Sequence, residues 1–434
     1  MSLKRLLYSL LLYLIFPIVI GRLYWRGRSN PAYRKRIFER LGFVKIASKK
    51  PVIWIHAVSV GETNAAQPLI NSLISNYPNH CVLVTTTTPT GSERVVNLFS
   101  DRVEHVYFPY DLPEIIFRFL GRIKPEILIV VETEIWPNLY ASCGKRNIPI
   151  VLVNARLSET STNAYLKIKG LIKETLFNVT KLAVRSEADA LSFKKLGAID
   201  SQIKIAGNIK FDFKVDQQQV EKGLLWKQQW GEHRPVLVAA STHEGEDERI
   251  LNVYKALLHK FSDLLLVLVP RHPERFDGVF QLCQTLENET DGFKVMRHSH
   301  VQNQVQSQAH SYTNKNIDII LGDSMGEMQS WFASADVVFI GGSLVNTGGH
   351  NPLEAIAQGK PVASGQYMFN FRDIVPELLT SGLLSVCETD KQLEKKLSEL
   401  FLLDKSKVSM KANKLMQQHQ GATARLLDII DESI

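Results

Sequence analysis

The chain has 434 residues, 45% of them hydrophobic and 22% charged, a globular composition long enough for two domains of about 200 residues each. Its net charge of +7 is uneven: residues 1–50 carry twelve Lys/Arg against one acidic residue, Glu39, a local +11 that leaves −4 for the other 384. Basicity confined to one end excludes a nucleic-acid groove spread over the body and points to a single polybasic address.

Taken in chain order, the first element is Leu6–Gly21 (LLYSLLLYLIFPIVIG), uncharged over 16 residues and flanked by Lys4 and Arg5 on one side and Arg22, Arg26 and Arg28 on the other. A full span needs about 20 apolar residues, and Pro17 interrupts this one. No small-x-small cleavage site follows it, and positive charge at both ends sets no orientation. The pattern favours a helix that enters one leaflet or lies in the interface, with Tyr24 and Trp25 at headgroup depth and the basic stretch on anionic lipid. A cleaved secretory signal and a buried core helix are the alternatives.

From Pro51 onward, short β-rich runs alternate with amphipathic stretches. Strands are expected at Val52–His56, Cys81–Thr86, His105–Phe108, Ile127–Val131, Ile150–Asn154 and Leu182–Val184, with helices at Asn64–Ser75, Gly91–Phe99, Leu112–Ile123 and Glu187–Leu196. Asp212–Arg234 is polar and reads as an interdomain connection. A second series follows: Val236–Ala240, Leu264–Val269, Lys294–Met296, Ile317–Leu321, Val337–Ile340, Pro361–Ala363 and Leu384–Val386, with Gln302–Thr313 read as a loop. Strand–helix alternation with continuously apolar strands predicts parallel sheets covered on both faces, here two Rossmann-like domains facing a central cleft. The expected division is a membrane anchor helix at 1–28, an N-terminal domain at 29–215 and a C-terminal domain at 216–434, whose final helix can pack back on the N-terminal domain.

In open α/β sheets ligands bind beyond the C-terminal strand ends, and several polar clusters fall there. Ser59–Asn64 (SVGETN) puts Glu62 in a first helical turn, where a carboxylate serves equally as a helix cap or as a chemical group. Glu132-Thr133-Glu134-Ile135-Trp136-Pro137-Asn138 sets two carboxylates two residues apart after a buried strand; helix initiation at Pro137 is the plainer account. Gly207–Asp212 carries Lys210, either a phosphate ligand or a solvated hinge lysine. Pro270-Arg271-His272-Pro273 restrains an arginine whose guanidinium can grip phosphate oxygens in pairs. Gly322–Met328 opens a helix, and Gly341-Gly342-Ser343 with Gly348–Ala355 (GGHNPLEA) runs a glycine-rich loop into a helix, where amides suit a phosphate and Glu354 suits a ribose. The four cysteines, Cys81, Cys143, Cys283 and Cys387, lack CxxC spacing, which argues against a metal site or a disulfide framework. No D-x-D occurs in the cleft loops, no GxGxxG follows the first strand and no GxxxxGK[ST] occurs, which disfavours an NAD enzyme or a P-loop NTPase.

The runs HAVSVGETNAAQPLI, VVETEIWPNL, NARLSE, GNIKFD, LVPRHPERF, GDSMGEM and GGSLVNTGGHNPLEAIAQGKPV resemble, in order and spacing, the 3-deoxy-D-manno-octulosonic acid (Kdo) transferases of lipid A–core assembly. The resemblance covers almost the whole chain. NPLE is shared with many GT-B glycosyltransferases, whereas SVGE, ETEIWPN and PRHPERF are more specific. It implies a GT-B enzyme at the cytoplasmic face of the inner membrane. Such an enzyme moves Kdo from CMP-Kdo to the 6′-hydroxyl of a lipid A precursor, with inversion and without metal or other cofactor. Glu62 matches the general base, and Glu132 and Lys210 match positions that stabilise the transition state. Pro270, Arg271, Met325, Gly326, Glu327, Asn351, Pro352, Leu353 and Glu354 match the CMP site. The leaving phosphate would be met by Arg271, Lys210 and the amides of Gly348–Asn351. One departure is Gly365-Gln366-Tyr367-Met368-Phe369-Asn370-Phe371, which lacks a histidine the family often has there. A GT-B transferase using a UDP-sugar, and a membrane-docked nucleotide-binding protein without catalysis, are the alternatives.

Overall fold

The computed structural model describes residues 2–29, 31–213, 215–289, 293–300 and 317–434; the expected loop Gln302–Thr313 lies outside them. The chain divides into two compact units, the first made of residues up to Phe213 together with His419–Ile434, the second of Lys214–Gln418.

The first unit is built on a seven-stranded parallel sheet: β1 (Val52–His56), β2 (Cys81–Thr86), β3 (Glu104–Tyr107), β4 (Pro125–Val131), β5 (Ile150–Ala155), β6 (Lys181–Val184) and β7 (Ile203–Ile205), in the order β3-β2-β1-β4-β5-β6-β7. Side chains alternate between the faces, so each strand feeds two cores. Trp54, Leu83, Leu128, Val130 and Leu152 join one cluster with Phe119 and Tyr140. Ile53, Ile55, Val82, Val84, Ile127 and Ile129 join the other with Leu69, Leu426 and Ile430, so the last helix, Ala422–Asp431, completes the core of this unit. Strand β7, only Ile203-Lys204-Ile205 at the sheet edge, has no counterpart in the sequence reading, because three half-polar residues leave no run to detect.

The second unit carries β8 (Val236–Thr242), β9 (Leu265–Pro270), β10 (Val295–Arg297), β11 (Ile319–Leu321), β12 (Val337–Ile340), β13 (Val362–Gly365) and β14 (Leu384–Cys387), all parallel, in the order β10-β11-β9-β8-β12-β13-β14. The polar stretch expected to be a connection contains a 14-residue helix, Gln217–Trp230. Its N-terminus is capped by Asp216, whose carboxylate accepts from Gln218 N at 3.0 Å. One face packs inward: Gly223, Trp226 and Trp230 are buried, and a Cβ on Gly223 would lie 2.1 Å from Ser330 O, while Leu224 and Leu225 stand exposed. So few apolar positions among so many glutamines hid the helix.

Ahead of the first sheet runs a 27-residue helix, Leu3–Ser29, continuous through Pro17. Among the described residues it alone is long and apolar enough to cross a membrane. The four cysteines are buried and unpaired.

Candidate active site

In the first unit the strand order reverses between β1 and β4, and in the second the central reversal lies between β8 and β12. Such switch points open a crevice at the C-terminal strand ends; Glu62, Glu132 and Asn351–Glu354 lie just beyond these strands, while Lys210 follows β7, Pro270 and Arg271 lie at the end of β9 and Met325–Glu327 follow β11.

In the first unit the loop after β1 leads into the helix Val60–Asn76, which starts four residues earlier than the expected Asn64. Ser59 caps it, accepting from Glu62 N at 3.4 Å. The Glu62 carboxylate turns back to accept from Val58 N at 2.6 Å and from Ser59 Oγ at 3.3 Å. Among the described residues no cation pairs with it. Burial first, then the negative charge of Glu132, pushes its pKa up to about 8. The capping account of Glu62 is therefore correct as geometry, but a simple cap does not acquire two neighbouring carboxylates.

Those neighbours come from the loop after β4. Glu132 is held in the left-handed region at φ 61°, a conformation that costs a non-glycine residue about 1–3 kcal/mol. Its N–H continues the ladder to Val153 O at 2.9 Å, while its carboxylate is gripped by Arg156 Nε at 3.3 Å and Arg185 Nη2 at 3.1 Å. Arg156 follows β5 and Arg185 follows β6, so three adjacent strand ends meet at one carboxylate. Neither arginine was singled out from the sequence; NARLSE contains the first, and nothing marks the second. Glu134, with burial and then Glu132 as causes, has its pKa raised to about 7. Among the described residues the pair Glu62 and Glu132 thus sits in contrasting settings, one without a paired cation and one clamped by two arginines.

Lys210 lies in the turn Ile209–Phe211 after β7. Asn208 caps that turn, accepting from Lys210 N at 3.1 Å, and Ile209 N donates to the buried Asn154 Oδ1 at 3.1 Å. Asp212 accepts from Gly421 N at 3.0 Å and Thr423 N at 2.6 Å, tying the turn to the last helix.

In the second unit the centre is a residue that the sequence reading passed over. Glu246, fully buried after β8, accepts four backbone N–H groups: His243 at 2.9 Å, Gly342 at 2.6 Å, Ser343 at 2.9 Å and Leu344 at 2.8 Å. The amides of Gly342–Leu344, which suit a phosphate by sequence, are taken up by a carboxylate of the protein. Two of the amides expected to meet the leaving phosphate are also bonded internally, Gly349 N to Gly342 O at 2.7 Å and His350 N to Gly341 O at 3.2 Å. The glycines serve close packing instead: a Cβ on Gly341 would lie 2.4 Å from Ser241 O, and one on Gly349, at φ 75°, would lie 2.2 Å from Met368 Sδ.

Beyond this loop Asn351 Oδ1 accepts from Leu353 N at 3.0 Å, and its Nδ2 donates to Glu354 at 3.1 Å. Pro352 and Leu353 are buried, and burial raises the pKa of Glu354. Pro270 ends β9, and the Arg271 side chain stands exposed beside it. His243 and His350 stack with ring centres 5.1 Å apart and Nε2 atoms 2.8 Å apart; burial, then His243, lowers the pKa of His350 to about 4. Met325 is exposed, Gly326 takes φ 82°, and Glu327 pairs with Lys222 and accepts from Ser324 Oγ. The departing segment after β13 braces the glycine loop, with Tyr367 N on Ser343 O at 2.9 Å and Asn370 Nδ2 on Gly349 O at 3.2 Å. Among the described residues no group of three or more His, Cys, Asp or Glu is placed to hold a metal ion.

Residues 35–213 match the family described as 3-deoxy-D-manno-octulosonic-acid transferase (kdotransferase), and residues 241–415 match glycosyl transferases group 1. A 3-deoxy-D-manno-octulosonic acid transferase of Haemophilus influenzae is 39% identical, with 98% of each chain covered. The chain belongs to the Kdo transferase family. A Bordetella pertussis transferase of the same name is 32% identical over 94% of each chain. As a Kdo transferase the protein is a glycosyltransferase of lipopolysaccharide biosynthesis. Among solved structures, the C-terminal CMP-Kdo binding domain of WaaA from Acinetobacter baumannii is 31% identical and aligns in full with 46% of this chain, with a TM-score of 0.41. The Neisseria meningitidis UDP-GlcNAc 2-epimerase, 14% identical over 88% of this chain and 99% of its own, has a TM-score of 0.51 and shows the fold alone, a two-domain GT-B architecture.

Proposed function

We propose that this Kdo transferase takes Kdo from CMP-Kdo and transfers it to the 6′-hydroxyl of a lipid A precursor with inversion, Glu62 acting as general base. The observation that carries the assignment is the carboxylate of Glu62, fixed by Val58 N–H, with no cation paired to it among the described residues, and its pKa raised to about 8 by burial and then by Glu132. A primary alcohol is a weak nucleophile at neutral pH. A positioned base that takes its proton as the oxygen attacks the anomeric carbon contributes about 10²–10⁴-fold. The attacking oxygen forms the new glycosidic bond, the bond to the phosphate oxygen breaks, and CMP leaves with the electron pair.

Glu132, held by Arg156 and Arg185, supports positive charge developing at the anomeric carbon, with Lys210 toward the anionic groups. Arg271 and the Asn351–Glu354 turn bind CMP, together with Pro270 and the Met325–Glu327 loop. The Gly342–Leu344 amides have no part in binding phosphate, because Glu246 occupies them. Membership of the Kdo transferase family supports both the CMP-Kdo donor and a lipid A acceptor. The N-terminal helix and its basic flanks hold the enzyme on the cytoplasmic face of the inner membrane, where the lipid acceptor resides.

The test is to incubate the purified chain with CMP-Kdo and a tetraacylated lipid A precursor beside Glu62→Gln and Glu62→Ala, reading product mass. Transfer by the wild type with loss of about 10²-fold or more in both variants, CMP binding being retained, is the expected result. Normal transfer by both variants removes Glu62 as the base. Transfer from a UDP-sugar but not from CMP-Kdo removes the donor assignment.

A further inference from the structure

The helix Leu3–Ser29 turns its apolar side outward. Leu7, Leu10, Leu11, Leu14 and Ile18 form an exposed stripe, Leu14 at 77% and Ile18 at 70% exposure. Their spacing is that of one helical face. The opposite face is polar and docked on the first unit. Ser2 Oγ donates to Glu174, Tyr8 OH to Asp111 at 3.0 Å, Ser9 Oγ to Asn138 Oδ1 at 3.1 Å and Tyr13 OH to Glu114. Phe16 meets Tyr110 edge-on at 5.4 Å. Asp111 is buried and also accepts from Asn138 N at 3.1 Å and Leu139 N at 2.8 Å, so the seam ends on a fixed point. Past Pro17 the helix is held again, Arg34 Nη2 donating to Tyr24 O at 2.9 Å.

A spanning helix is incompatible with this seam. If residues 2–16 lie on the globular unit, only 17–29 remain to cross. At about 1.5 Å per residue they cover about 20 Å, against a hydrocarbon core of about 30 Å, and they include Arg22, Arg26 and Arg28. Charge agrees. Basic residues lie at both ends of the helix, and cationic flanks stay on the cytoplasmic side. A span would put one set on the wrong side; a helix in the plane of the membrane leaves both where they belong.

We propose that this helix lies in the plane of one leaflet, its polar seam on the protein, its leucine face in an anionic bilayer, and both ends on the cytoplasmic side. The inference deepens the membrane location stated above and rests on it.

Single-cysteine variants of the full chain, Lys4→Cys and Arg28→Cys, test it in vesicles that expose the catalytic body. The native cysteines are all buried, so a membrane-impermeant maleimide reads the new positions. Equal labelling of both before detergent is expected. Labelling of Arg28→Cys with Lys4→Cys protected until detergent is added overturns the in-plane arrangement while leaving the membrane location intact. Flotation with vesicles containing anionic phospholipid gives the second reading. The wild type should float, and Leu7→Glu/Leu11→Glu/Leu14→Glu should lose at least about tenfold in the floated fraction. A wild type that ignores vesicles and elutes as a dimer would show a second copy on the leucine face and overturn both the location and the arrangement.

Discussion

Replacing Glu246 by glutamine changes one atom of a fully buried side chain, yet the structure demands a large effect. Four backbone donors converge on the carboxylate at 2.6–2.9 Å. Glutamine keeps one accepting oxygen and turns an NH₂ toward the other donors, so two of the four lose their acceptor. A hydrogen bond to a charged group contributes about 1.5–3 kcal/mol, which puts the loss at about 3–6 kcal/mol. For a unit of this size that lowers the thermal midpoint by about 6–24 °C, at roughly 2–4 °C per kcal/mol. The same loop carries Asn351 and Glu354, so CMP affinity should fall as well. Denaturation followed by circular dichroism, with CMP titrated by calorimetry at a temperature where the variant is folded, reads both quantities. A loss under about 1 kcal/mol with unchanged CMP affinity would refute the view that Glu246 holds the loop.

The raised carboxyl of Glu62 sets a pH dependence. The base must be ionised, so kcat/KM should climb as pH rises through about 8, and Glu132→Gln, by removing a neighbouring negative charge, should move that limb to lower pH; a wild-type limb below pH 5 contradicts the assignment. Arg271→Ala should weaken CMP binding by about tenfold or more, the loss of one charge-assisted contact, with a thermal midpoint near that of the wild type because the side chain is exposed; unchanged affinity removes Arg271 from the donor site. Gly365→Ala would set a Cβ 2.2 Å from Ser343 O, and with backbone on the receiving side it should cost at least about 1–3 kcal/mol; urea denaturation at wild-type midpoint would show that the contact yields freely.

Most of the strands were legible because a strand buried on both faces is apolar throughout, and runs such as Val52–His56 and Ile127–Val131 have little other use. Glu62 was legible as a position, since a glycine and a carboxylate follow a strand end, but its neighbours were not. Glu132, Arg156 and Arg185 are brought together by the order of strands β4, β5 and β6, and spacing along the chain carries no such order. Glu246 was hidden twice. It lies nearly a hundred residues before the amides it binds, and its neighbours in His243-Glu244-Gly245-Glu246-Asp247-Glu248 look like a solvated charged run. The polar seam of the N-terminal helix was hidden too, because Ser9 and Tyr8 among leucines do not dent an apolar average.

The last helix bears on how the enzyme comes to be made. Leu426, Ile429 and Ile430 belong to the core of the first unit, yet they are translated only after the whole of Lys214–Gln418. At about 5–20 residues per second, the ribosome needs on the order of 10–40 s to supply that intervening stretch. During that interval the first unit waits with an apolar face of its sheet uncovered, while the second has all of its own strands and can close. Completion of the first unit therefore waits on synthesis of the whole second unit, and a polypeptide lacking His419–Ile434 would keep its second unit and be offered to the proteases on the first.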